Sequence, residues 1–201
     1  MFDLKEFEAT FLETLKERKE SGTSLSKNTI KYKKGSEVIA EIYIQHLRNA
    51  DGYYAGARAY SSEIENFCKE AAPPYKNNLS NPAFFSATSQ NEPYKRFGDD
   101  TTGVVRLNKN QSTKENAERI FQKLNEFYIR RIKNCLTLDT ALIKEVIDSP
   151  NDFSYPFLIV VFAAKQSKLP FDSEAVQEAI CKKGMLGKKD FDFAFAKKYL
   201  A

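Results

Sequence analysis

One histidine, His46, and three cysteines, Cys68, Cys135 and Cys181, hold most of the chain's capacity for nucleophilic and metal chemistry. The cysteines lie far apart and none belongs to a C-x-x-C pair, so a structural zinc site is not expected. Their odd number argues against a disulfide framework and suits a reducing compartment. His46 falls on the same parity as Val38, Ala40, Ile42 and Ile44, at the end of an alternating apolar run. A strand-end structural histidine is preferred to a general base, since a Cys-His or Ser-His-Asp arrangement would need partners from elsewhere in the chain.

Metal-dependent nuclease chemistry can be tested against spacing. Such a site needs an acidic residue plus a carboxylate two positions before a strand-borne lysine. Asp152 is followed by an apolar run and then Ala163-Ala164-Lys165, so the second carboxylate position is alanine and the ligand set is incomplete. The neighbouring carboxylates Asp99-Asp100, Asp190/Asp192 and Glu63/Glu65 are read as solvated turns and helix faces rather than glycosidase pairs. Gly52-Tyr-Tyr-Ala-Gly56 has neither the glycine pattern nor the lysine of a phosphate loop. No metal or cofactor is expected.

Two constellations remain. Arg119, Lys123, Arg130, Arg131 and Lys133 could mark a phosphate-contacting helix face, but Glu115, Glu118 and Glu126 interleave with them, and a solvated face is preferred. Tyr53, Tyr54, Tyr60, Tyr75 and Tyr94 lie near Arg58, Lys95 and Arg96, a composition suited to protein-binding surfaces. The expected partner surface runs from Tyr53 to Arg106 and includes Tyr53, Tyr54, Arg58, Tyr75, Tyr94, Lys95, Arg96, Asp99 and Asp100.

Several elements must position these residues. Leu4, Phe7, Phe11 and Leu15 recur at helical spacing and predict a helix from about Asp3 to Glu20. Ile30 and Tyr32, a turn at Lys33-Lys34-Gly35-Ser36, and the alternation from Val38 to Ile44 predict a hairpin, with a third strand over Tyr53–Tyr60. Ser62 and Glu65 read as a capping box for a helix that Pro73-Pro74 ends. Short strands are expected at Ala83–Thr88 and Gly103–Asn108 within a long turn-rich segment. Beyond Asn110 the pattern is helical. A second capping box, Ser112 and Glu115, opens a long helix, Thr137 caps a shorter one, and Asp172 begins another closed near Gly184. The tail from Lys188 fits a strand or a helix, with helix preferred.

Ser154–Pro170, SYPFLIVVFAAKQSKLP, holds eight consecutive apolar residues. As a helix these reach only about 12 Å, too short to cross a bilayer. A buried helix opened by Pro156 is preferred, with a strand as the alternative.

The 201 residues suffice for one well-buried domain, read as a helix plus β-rich lobe over 1–110 and a helical lobe over 111–201. Formal net charge is +4 and no segment is strongly basic, so a nucleic-acid partner is not expected. The N-terminal residues carry no signal-peptide pattern, and no membrane role is expected. The fold class is α+β, with an N-terminal helix, a small antiparallel sheet in the middle and a helical C-terminal half packed against it.

This layout, ending in the helical stretch DSPNDFSYPFLIVVFAAKQSKLPFDSEAVQEAI, resembles the bacterial immunity proteins of contact-dependent and polymorphic toxin systems. The resemblance implies a cytoplasmic, non-enzymatic inhibitor whose partner is a cognate toxin domain, and it transfers no individual residue. The basic net charge departs from the acidic inhibitors of nuclease toxins. The rival readings are a nucleic-acid-binding accessory protein and an enzyme of unrecognised type.

Overall fold

A computed structural model describes residues 4–48, 52–91 and 97–201. The fold is α+β: an N-terminal helix, an antiparallel sheet, then helices to the C-terminus. The chain divides into two compact units, each built from two segments: Met1–Arg58 with Ala87–Ile132, and Ala59–Ser86 with Lys133–Ala201. The division expected near residue 110 is therefore replaced by an interleaved one.

In the first unit, helix α1 (Leu4–Glu17) buries Phe7, Phe11 and Leu15, the apolar stripe its spacing predicts. Strands β1 (Thr23–Ser26), β2 (Thr29–Lys34), β3 (Glu37–Leu47), β4 (Gly52–Ala59) and β5 (Phe85–Thr88) form the sheet in that order, and β6 (Val105–Arg106) also pairs with β4. The β2–β3 register sets Ile30 opposite Ile42 and Tyr32 opposite Ala40, so one face of the hairpin is uniformly apolar. The period of two then sorts each strand. Ala40, Ile42 and Ile44 of β3 and Tyr53, Ala55 and Ala57 of β4 are buried, while Glu41, Tyr43, Tyr54 and Arg58 lie on the other, partly exposed face. Phe7 meets the Tyr53 ring at 5.2 Å, placing α1 on the buried face.

Helix α3 (Thr113–Leu124) belongs to this unit because it packs beside α1. Arg18 lies 5.4 Å above the Phe121 ring and reaches the Glu118 carboxylate at 2.9 Å. Both hydrogen bonds of the Ser112–Glu115 capping box form. A single π-helical turn, Asn125–Ile129, follows α3 and leads into α4 (Arg130–Thr137). Thr23-Ser-Leu-Ser26 has little apolar alternation to mark a strand, and pairing with β2 is what makes β1 one.

The second unit contains α2 (Ser62–Ala71), α5 (Thr140–Asp148), α6 (Pro156–Gln166), α7 (Glu174–Cys181) and α8 (Lys189–Tyr199). Helix α6 is its centre: every residue from Pro156 to Ala164 is buried, and Pro156 occupies the first turn as expected. Phe67 of α2 meets Phe162, Phe195 and Tyr199, each at 5.4 Å.

Three cap assignments move. Ser61, not Ser62, caps α2, accepting from the Ile64 amide at 3.3 Å. Asp139, not Thr137, caps α5, accepting from the Ala141 amide at 2.8 Å. Ser173, not Asp172, precedes α7. In each case small polar residues one or two positions apart are all plausible caps, and sequence alone does not rank such neighbours.

Candidate functional site

The described residues among those expected to form one partner surface occupy four different settings. Tyr53 is 1% exposed: its ring packs on Phe7 and on His46, and its hydroxyl donates to Glu8 Oε1 at 3.3 Å. It is a core side chain, a correction that follows from strand parity, since Tyr53 and Tyr54 must point to opposite faces of β4. Tyr94, Lys95 and Arg96 lie outside the described residues.

Asp99 and Asp100 organise their own loop. Asp99 accepts from the Arg106 amide at 2.8 Å, from Arg119 at 3.1 Å and from Lys123 at 3.1 Å. Burial works to raise its carboxyl pKa, but the Arg106 amide, Lys123 and Arg119 outweigh that, and the net direction is down. Asp100 accepts from the hydroxyl and amide of Thr102 and from the Arg106 guanidinium, which hold its carboxyl well below the usual range. Gly103 makes the turn possible. Its φ is +73°, and a Cβ there would sit 1.8 Å from the Ser89 carbonyl oxygen. Lys123 also donates to the Phe97 and Gly98 carbonyls at 2.9 and 3.2 Å, and Arg119 to the Arg106 carbonyl.

Those bonds involve part of the basic helix as well. Of its five cations, Arg119 and Lys123 are engaged with this loop and Arg131 is 8% exposed. Arg119 and Lys123 thus brace the loop, while Arg130 and Lys133 lie exposed.

Tyr75 belongs to the second unit. Its hydroxyl donates to Asp192 Oδ1 at 2.5 Å, and its ring lies over Gly187, where a Cβ would come within 2.4 Å. Asp192 is fully buried and also accepts from the Gly187 and Lys188 amides at 2.9 and 3.0 Å. Burial pushes the carboxyl pKa up despite those three donors, and burial then the Asp192 bond push the Tyr75 phenol up. This is an internal latch at the start of α8.

Tyr54 and Arg58 are brought together, with three residues the sequence reading passed over. On the partly exposed face, the Tyr54 hydroxyl donates to Gln45 Oε1 at 2.5 Å, and the Tyr54 and Tyr43 rings meet edge to face at 6.3 Å. The Arg58 guanidinium stands 5.5 Å over the Tyr43 ring and 3.5 Å from Glu41. The Tyr43 ring lies flat across Gly56, where a Cβ would come within 2.3 Å of the ring carbon and hydroxyl. Burial pushes the Tyr43 phenol up, with Arg58 opposing. Tyr43, Glu41 and Gln45 were legible in principle: they share the parity opposite Ala40, Ile42 and Ile44 on β3.

The arrangement presents two tyrosines and an arginine in fixed orientations on a sheet surface. It offers aromatic faces, phenol oxygens and one guanidinium paired with the Glu41 carboxylate. Among the described residues, no group of three or more His, Cys, Asp or Glu side chains could hold a metal ion, and no helix is long and apolar enough to cross a membrane. No protein-family model, characterised protein or solved structure matches the chain.

Proposed function

We propose that the chain is a non-enzymatic protein-binding inhibitor that meets its partner through the sheet face of Tyr43, Tyr54 and Arg58. The observation that carries this reading is the fixing of these three side chains by Gly56, Gln45 and Glu41. Tyrosine and arginine dominate the energetics of protein interfaces. Side chains already held in place lose little further freedom on binding. The layout resemblance supplies the partner class, a bacterial toxin domain neutralised in the cytoplasm by occlusion.

The test is capture of the partner from the native host, followed by calorimetric titration. Replacing Tyr54 and Arg58 together by alanine should weaken the complex by about 30-fold or more, on the order of 2 kcal/mol. Unchanged affinity in that variant, or a chain that purifies alone at nanomolar concentration, would remove the proposal. A steep salt dependence of binding to generic DNA or RNA would favour the nucleic-acid reading instead.

A further inference from the structure

The second unit holds a cleft of about 230 Å³ between α2, the irregular segment 72–84 and the turn before α6. We infer that it is a binding site for a small neutral aromatic molecule, a single substituted ring or a bicycle.

Size sets the first limit. A dry apolar cavity of about 150 Å³ accommodates benzene, and a water in the liquid takes about 30 Å³. A space of 230 Å³ therefore suits a ring with a substituent or a fused pair, and it lies below the usual range of drug-sized pockets.

The lining sets the chemistry. Ile64, Cys68 and Phe84, all nearly inaccessible, form an apolar floor. Pro73, Pro82 and the half-buried Tyr155 give the walls flat ring surfaces. Thiols and ring faces are favourable neighbours for an aromatic guest. Burial pushes the Cys68 thiol up to about 12, so it stays protonated and packs as a soft apolar group instead of attacking a ligand. At the rim, Lys69 and Glu65 pair at 2.5 Å on successive turns of α2. A charged guest would lose water over the apolar floor without gaining an unpaired counter-ion at this rim, which disfavours both benzoate-like and benzylammonium-like ligands. Asn77 and Tyr155, both in the lining, add hydrogen-bonding capacity.

The cleft is also held open by its own loop. Segment 72–84 has no regular structure, yet side chains and backbone fix it. The Leu79 amide donates to Asn77 Oδ1 at 2.7 Å and the Ala83 amide to Asn81 Oδ1 at 3.0 Å. The Asn78 amide donates to the Ser154 carbonyl at 2.9 Å, and the Ser154 amide to the Phe84 carbonyl at 2.9 Å. A preformed site does not charge its ligand the cost of ordering a loop.

The experiment titrates the full chain with phenol, indole, benzoate and benzylamine while following the methyl resonances of Ile64 and Ala83. Phenol or indole should shift both methyls saturably, with a dissociation constant of about 1 mM or tighter. The two charged probes should bind at least several-fold more weakly. Cys68→Met, which extends a side chain into the floor, should weaken the neutral probes about tenfold. Tyr54→Ala, on the sheet face, should leave them unchanged, so this site and the partner surface are judged separately. The inference is overturned if neither neutral probe gives a saturable shift up to about 5 mM. It is equally overturned if a charged probe binds as well as phenol, and the titration of the unaltered chain decides even if Cys68→Met fails to fold.

Discussion

Helix α6 buries nine residues in succession, Pro156 to Ala164, whereas β4 alternates: Tyr53 inward, Tyr54 outward, Ala57 inward, Arg58 outward. The first segment is the most conspicuous run in the sequence, and all of its apolar surface is used to hold the second unit together. The second segment is unremarkable in composition, and its alternation leaves Tyr54 and Arg58 partly available to solvent. A segment enclosed on every side has nothing to offer a partner. A segment enclosed on one side has a face to offer, and rigid packing behind it.

A truncation in α6 should have the largest effect. Leu158→Ala should cost about 2–5 kcal/mol in a urea titration, because Leu158 is fully buried and the cavity cannot collapse against packed neighbours. A cost below about 1 kcal/mol would mean that α6 is not the centre of its core. The next effect belongs to the loop of the first unit. Gly103→Ala should cost about 2–3 kcal/mol, since it combines a left-handed backbone with a clash against the Ser89 carbonyl.

The two internal carboxylates should respond to pH with opposite sign. Asp99 has a folded-state pKa below its unfolded value of about 3.9, so its contribution is present above that pH and lost as pH falls through the lower folded value. Asp192 has a raised folded-state pKa, so its contribution is present below about pH 4 and lost as pH rises through the folded value. Comparing Asp99→Asn and Asp192→Asn by denaturant titration from pH 3 to pH 7 reads each sign directly. The same direction in both variants would contradict the burial assigned to Asp192.

The smallest change in stability belongs to the sheet face. Tyr54→Ala should shift the unfolding free energy by about 0.5 kcal/mol or less, since it truncates a half-buried side chain. Gly56→Ala should displace the Tyr43 ring and weaken the partner by about tenfold, a loss of preorganisation with every contact residue still present. A glycine substitution without effect on binding would show that the fixed ring orientation is not what the partner reads.

Much of the fold was legible because its signals are local. The spacing of Phe7, Phe11 and Leu15, the alternation of β3, the Ser112 box and Pro156 each specify an element without reference to anything distant. The site was half legible. Tyr54 and Arg58 of the proposed face follow from residue type, but composition ignores parity and so groups the buried Tyr53 with them. Asp99, Asp100, Arg119 and Lys123 looked like solvated charges or contact residues. Their mutual engagement depends on a loop and a helix separated by about twenty residues, and no local pattern reports that. The Tyr75–Asp192 bond, across 117 positions, is further still from anything a sequence window contains.

Strand β1 limits self-association. It ends the sheet on one side, is four residues long, carries Thr23, Ser24 and Ser26, and is followed by Lys27 in a left-handed backbone conformation. An outermost strand with a long apolar ladder would recruit a second chain and seed fibrous aggregates. This one is too short and too polar to act as a template, so the sheet discourages copies of itself from stacking at this border.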